Sequence, residues 1–172
     1  MIIYKQLFES EIGALQLVAS ESGLCYIGLP GTPEEIVDEF ISENFSEAEV
    51  KNGGEVIRKA ISQLRSYFKG ELTMFEIPID LKISGFYREV LNTVSEIPYG
   101  KLLKYGEIAK RLNKPGGAQA VGSANAANPI PIVIPCHRVV ASNGLGGYAG
   151  GLPLKKKLIA IEQQRTLFNF PA

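Results

Sequence analysis

Pro129-Ile130-Pro131-Ile132-Val133-Ile134-Pro135-Cys136-His137-Arg138-Val139-Val140 sets one of the chain's two cysteines beside its only histidine, inside an apolar segment punctuated by prolines. A thiol reacts as its thiolate, and a neighbouring imidazole is the commonest device for forming one near neutral pH. An arbitrary Cys-His pair is more often a small buried cysteine next to a structural histidine, but the surroundings here count against that reading. The prolines remove backbone donors and fix φ, so the segment entering Cys136 reads as a stiff strand that cannot be a helix. After it the chain turns Gly-rich, Gly144-Leu145-Gly146-Gly147-Tyr148-Ala149-Gly150-Gly151. That pattern suits a nucleophile presented at the end of a rigid element beside a backbone-lined pocket.

Upstream of this segment the character is helical. Ser84 reads as the cap of a helix burying Phe86, Val90, Leu91 and Val94, which Pro98-Tyr99-Gly100 breaks. Tyr105–Leu112 and Ala118–Ala127 then read as two short helices joined by the turn Asn113–Gly117, the layout of a helix-turn-helix. The second is almost entirely small residues, which suits close approach to a DNA groove and tight helix–helix packing equally. Pro153 opens a final helix carrying Lys155-Lys156-Lys157, read as a solvated face with phosphate attraction as the alternative, and Glu162 near its end.

The first 80 residues differ in kind. Ile2–Phe8 and Ile12–Ala19 alternate loosely, and with the apolar run Leu24–Leu29 after the turn Glu21-Ser22-Gly23 they read as a β meander. Thr32 is placed as N-cap of a helix with Pro33 at its first position, Glu35 closing a capping box, and Ile36, Val37, Phe40 and Ile41 buried. A second helix from about Glu55 to Lys69 buries Ile57, Ile61, Leu64 and Phe68 and stops at Gly70. Phe75–Leu81, which contains Pro78, reads as an edge strand or linker. Cys25 lies in an apolar strand and reads as a buried structural thiol.

The 172 residues are enough for one compact domain or two small ones with a true core. No apolar run approaches a membrane span and the N-terminus lacks a signal-peptide pattern, so the expectation is a cytoplasmic protein with no membrane partner. Two distant cysteines and one histidine form neither a disulfide framework nor a zinc set, so no metal or cofactor is expected. The net charge of zero conceals a polarity: residues 1–80 hold 6 basic against 14 acidic side chains, residues 81–172 hold 12 against 4. The basic half faces either a polyanion or the acidic half of its own chain.

Three stretches, "IPYGKLLKYGEIA", "AVGSANAANPIPIVIPCHRVV" and "GGYAGGLPLKKKLIAIE", run in order from Ile97 to Glu162 and resemble the O6-alkylguanine-DNA alkyltransferase family. The resemblance implies an α+β fold: an N-terminal ribonuclease-H-like α/β domain with an antiparallel sheet over residues 1–80, and a mainly helical, winged-helix-like domain with a helix-turn-helix over 81–172. It implies irreversible, single-turnover transfer of an alkyl group from O6 of guanine, and also from O4 of thymine, to Cys136 after base flipping. It makes His137 the acceptor of the thiol proton, through a water because neighbouring side chains on an extended segment point apart, and Glu162 the group that orients the ring and makes it more basic. Tyr105 is implied in base rotation and at guanine N3, Asn128 braces the turn before the cysteine, and Pro131, Val139, Tyr148 and the Ala149 N–H shape the base pocket. The implied DNA-binding positions are Tyr105, Gly106, Lys114, Gln119 and Ser142. The implied partner is double-stranded DNA carrying O6-alkylguanine, bound without sequence specificity by a monomer.

Gln119 departs from the pattern, which places there an arginine that fills the gap left by the flipped base. Three other readings compete: a binding-only relative that recognises alkylated DNA, which would lack the motif cysteine; a Cys-His-Glu hydrolase, which would turn over and have no use for the small-residue helix or the basic half; and a helix-turn-helix regulator with an inert cysteine.

Overall fold

The computed structural model describes residues 1–169, with side chains through residue 164. The chain separates into two compact units, Met1–Lys82 and a second beginning at Ile83. In the first, β1 (Ile2–Ser10), β2 (Gly13–Ala19) and β3 (Leu24–Gly28) form the expected meander, and the sheet order is β3-β2-β1-β4. The β1–β2 hairpin is closed by Ser10, whose Oγ donates to Gly13 O at 2.6 Å and accepts from Ile12 N at 3.2 Å. The addition is β4 (Glu49–Asn52), parallel to β1 in a sheet otherwise antiparallel. Its four side chains are all exposed, so no apolar alternation marks it in the sequence.

Two helices cover this sheet. From α1 (Glu34–Asn44), Val37 and Ile41 pack with Ile3, Val18, Cys25 and Phe45. Thr32 does not cap α1: the cap position falls on Pro33 without a side-chain bond, and Ile36 is left exposed. With proline at the cap position there is no side-chain acceptor for the first-turn donors, and Ile36 N–H donates instead to Pro33 O at 3.1 Å. From α2 (Glu55–Phe68), Ile57, Ala60, Ile61, Leu64, Tyr67 and Phe68 are buried, and Gly70 turns the chain away at φ +73°. Phe75–Leu81 is no edge strand but a connector making a single bridge, Leu24 to Ile79, because Pro78 contributes only its carbonyl to Leu24 N. Cys25 is fully buried, with its thiol against Gly23 O at 3.4 Å.

The second unit contains α3 (Gly85–Ser95), β5 (Leu103–Lys104), α4 (Tyr105–Arg111), α5 (Ala118–Ala126), β6 (Val139–Val140) and α6 (Leu152–Asn169). α4 and α5 are joined by a turn at Asn113, whose φ of +57° lies where asparagine is tolerated best among side-chain-bearing residues. α5 packs on α3 and α4 through Val121, Ala124 and Asn125. β5 and β6 pair in parallel and bring the start of α4 beside the end of the proline-rich segment. This unit has the helix-turn-helix and small parallel pair that a winged-helix-like arrangement calls for.

Candidate active site

Cys136 does not end a strand. It opens a single 3-10 turn, Cys136–Arg138, whose backbone Arg138 N–H donates to Pro135 O at 2.9 Å. The prolines stiffen the approach but leave the three residues after Pro135 free to turn. Because the segment curls, His137 and Arg138 both project inward, and all three residues are buried. The approach is fixed by Asn128: its Nδ2 donates to Ile134 O at 2.9 Å and its Oδ1 accepts from Ile130 N at 3.0 Å. Between them Ile132 adopts φ +74°, a left-handed conformation that a β-branched residue holds only when its surroundings impose it.

Cys136 lies on the wall of a cavity of about 980 Å³. Tyr105 and Gly106 from α4, Gln119 from α5, Asn128, Pro131, Ser142, Tyr148 and Ala149 line the same cavity, so most of the site residues expected from sequence converge there. Four do not line it. Val139 is fully buried behind the wall, and His137 and Glu162 form a layer beneath. Lys114 is exposed and lies over the Phe86 ring, 5.7 Å from its centroid. The residues of α5 divide between two faces: Val121 and Ala124 pack inward while Gly122, Ser123 and Ala126 line the cavity.

The layer beneath is a shared carboxylate. His137 Nε2 sits 2.5 Å from Glu162 Oε2, while Arg138 donates through Nε to Oε1 at 2.7 Å and through Nη2 to Oε2 at 3.2 Å. Gly100 N–H adds a bond to Oε1 at 3.1 Å, and Arg138 Nη1 reaches Ile97 O at 2.6 Å. Burial opposes a charge on Glu162, but the hydrogen bonds of His137 and Arg138, with the Arg138 charge, outweigh it and hold the carboxyl down at about 2. For His137 the balance is reversed. Burial lowers its basicity more than the carboxylate raises it, and Arg138 adds to the lowering. A fully charged His–Glu pair would require the opposite; since Arg138 already neutralises Glu162, a neutral imidazole is the consistent state. Its Nε2–H faces the carboxylate, which makes Nδ1 the basic nitrogen. Glu162 acts in the expected direction, orienting the ring and raising its basicity through its hydrogen bond and charge, but burial outweighs that effect and the net basicity falls.

Nor is the thiol ionised at rest. Burial pushes Cys136 up to about 11, against the opposing effects of an Asn128 hydrogen bond and the Lys155 charge. Sequence reasoning placed Lys155 on a solvated face, yet it is wholly buried, with Nζ donating to Val139 O at 2.7 Å, to Gly147 O at 3.0 Å and to Leu145 O. Its run of three lysines hides the phase: Lys155, Leu158, Ile159 and Glu162 follow a 3–4 spacing and share the inward face. Arg138 and Asn125 were also missed. Asn125 is buried and donates through Nδ2 to Cys136 O at 3.1 Å; among small residues it read as one of the run. No helix among the described residues is long and apolar enough to cross a membrane, and no group of metal-ligating side chains occurs among them.

Comparison with known proteins gives a consistent set of likenesses. Models described as the 6-O-methylguanine DNA methyltransferase ribonuclease-like domain and DNA binding domain match residues 3–81 and 85–164. A Methanosarcina acetivorans protein named methylated-DNA–protein-cysteine methyltransferase is 40% identical over 161 residues, covering 93% of this chain and 98% of that one. One of the same name from Mycolicibacterium paratuberculosis is 51% identical over 108 residues, 62% of this chain and 66% of that one. The crystal structure of Mycobacterium tuberculosis OGT in complex with DNA is 35% identical, with a TM-score of 0.79 and coverage of 98% of this chain and 100% of that one.

Proposed function

The chain belongs to the 6-O-methylguanine DNA methyltransferase family, and from that premise we propose that Cys136 takes the alkyl group from O6 of a guanine in double-stranded DNA, once per molecule. The work is direct-reversal DNA repair. The observation that carries the assignment to Cys136 is its position on the cavity wall, with His137, Glu162 and Arg138 layered beneath it and the helix-turn-helix at the rim.

The chemistry is an in-line displacement. Sulfur forms the new S–C bond as the C–O6 bond breaks, and the electron pair released on O6 returns to the guanine ring. A thiol held near 11 must shed its proton as it attacks, and neutral His137 receives it at Nδ1 through a water. The same proton is then available to the departing base, which re-forms neutral guanine. Donors aimed at O6 lower the barrier; the Ala149 N–H suits that role, and Tyr105 suits guanine N3. A base inside the duplex cannot reach a buried thiol, so the nucleotide flips out into the cavity. Pro131, Val139 and Tyr148 shape that pocket from its wall and from behind it. The reading extends to O4 of thymine. The thioether product is not hydrolysed, so the protein is spent. Binding without sequence preference follows, because lesions arise anywhere and contacts fall on phosphate and sugar; Gly106, Lys114, Gln119 and Ser142 fit this role. We take the protein to act as a cytoplasmic monomer.

The test is intact-protein mass after mixing with excess duplex carrying one O6-methylguanine, followed by peptide mapping. One added methyl group per protein, on the peptide bearing Cys136, is expected; tight binding to the lesion without a mass gain would overturn the reading in favour of recognition alone. Gln119 supplies the second test. It is exposed at the rim and brings no charge to the gap left by the flipped base. Gln119→Arg is expected to speed single-turnover transfer on duplex DNA by about 3–10-fold, roughly 1 kcal/mol of barrier, with equal rates counting against a stacking role.

A further inference from the structure

Lys155 is an expensive residue to keep. An ammonium with no exposure is penalised by burial, which depresses its proton affinity, and a methionine would fill the same space without that cost. What the charge does is visible in its partners. Its three protons are matched by three carbonyls from two separate segments: Val139 in β6, and Leu145 and Gly147 in the loop that follows. That loop has little structure of its own beyond the Ala141–Gly144 bridge. Tyr105 lies against the same loop and lines the cavity with Gly147. Gly146, at φ +71°, lies so close that an added Cβ would meet the Tyr105 hydroxyl at 2.7 Å. Gly147, Tyr148 and Ala149, the next three residues, line the cavity.

Resting on the alkyl-transfer reading, we propose that Lys155 is the positioning residue for the base-receiving loop Gly144–Ala149, clamping its carbonyls from beneath so that the Tyr148–Ala149 backbone meets the flipped base. The charge of the same ammonium favours the ionised form of the Cys136 thiol. Cys136 is surrounded by Lys155 from α6, Tyr105 from α4, Tyr148 from the loop and the Asn128 amide, with His137 next in the chain and Glu162 and Arg138 behind it. Of the two cations in that set, Arg138 is engaged by Glu162, which leaves Lys155 to favour the developing thiolate. An arginine would not substitute, since its planar fork cannot converge on carbonyls from two segments as a tetrahedral ammonium does.

The experiment compares Lys155→Met and Lys155→Gln with wild type by hydrogen exchange of the 144–149 amides and by the pH profile of single-turnover transfer. For Lys155→Met, exchange in the loop rises while α4 and α5 keep their protection. Transfer falls by about 100-fold, the scale of a small misplacement, and its pH profile moves to higher pH. Affinity for undamaged duplex stays within about twofold, because exposed charges carry phosphate attraction. Lys155→Gln, which still donates two bonds but no charge, keeps part of the loop protection and shows the same pH displacement; it stands in should the methionine variant not fold. Unchanged loop exchange together with an unmoved pH profile would overturn the proposal. Exchange does not depend on alkyl transfer, so a wild type that transfers nothing would sink the functional reading while leaving the clamp to be judged on exchange alone.

Discussion

Glu162→Gln is expected to cost about 3–5 kcal/mol of stability and to slow transfer to Cys136 by about 10²–10⁴-fold. The carboxylate is 1% exposed and serves His137, Arg138 and the Gly100 N–H at once. The neutral amide can still accept from His137 Nε2–H, but one end of it must then present N–H to the Arg138 fork, donor against donor. A buried guanidinium is left without its counter-charge, which is where most of the stability loss arises. The pH dependence follows from the sign of the shift. The Glu162 carboxyl stands at about 2 in the folded protein against 4.5 unperturbed, so its contribution of about 3 kcal/mol is complete above the unfolded value and is lost as pH falls from about 5 toward 2. His137, held below its usual value by burial, acts in the same sense, since on acidification the unfolded chain takes up that proton first. The melting-temperature gap between wild type and Glu162→Gln should therefore narrow in acid. Adding Arg138→Met to Glu162→Gln removes both charges together. Stability should recover by about 1–3 kcal/mol in the double-mutant cycle, whereas the transfer rate stays low because His137 has still lost the group that orients it. Recovery of both would mean that Glu162 acts only through Arg138.

How much of this was legible in the sequence varies with how local the signal is. The meander, the helix-turn-helix and the Cys-His adjacency are written in neighbouring residues: Asn113–Gly117 announces its turn, and Pro129–Pro135 announces a stiffened approach. The 3-10 turn at Cys136 was not, because proline forbids helix for the residue before it and the segment up to Pro135, while the residues after it obey other constraints. Arg138 lies one residue beyond the motif's chemistry, and its partner is 24 positions away, a pairing that no local pattern encodes. Lys155 could have been found. Its spacing to Leu158, Ile159 and Glu162 marks an inward face, but three consecutive lysines suggest solvent more strongly than one helical phase suggests burial. β4 carries no apolar signal at all and exists because β1 has an edge to pair with.

Asn128→Ala should be nearly as disruptive as the loss of Glu162, for a different reason. Its amide is the only described side chain bonding both Ile130 N and Ile134 O, so it closes the loop that delivers the chain to Cys136. Removing it leaves a backbone donor and a backbone acceptor of two buried residues to find new partners, about 2–4 kcal/mol in all, or a melting temperature lower by about 5–15 °C. Ile132 makes the effect larger than two lost bonds. Its left-handed backbone stores about 1–3 kcal/mol, and with the Asn128 bridge gone that strain can relax by carrying the Pro131–Pro135 segment, and the sulfur with it, out of register. The thiol also loses a bond that favours its ionised form, so transfer at neutral pH should fall by about 10–100-fold. Asn128→Asp separates the two contributions. Its carboxylate can still accept from Ile130 N, which keeps half the turn, but it faces Ile134 O without a proton to donate and sets a negative charge beside a forming thiolate. Its transfer rate should be the lowest of the three near pH 8 and should rise relative to Asn128→Ala as the pH is lowered to about 5.5, where a carboxyl raised by that surrounding begins to protonate and can donate again. Single-turnover rates across this range decide it. A pH-independent ratio of the two variants would show that Asn128 only braces the backbone, and wild-type transfer in Asn128→Ala would show that the prolines hold Cys136 in place without it.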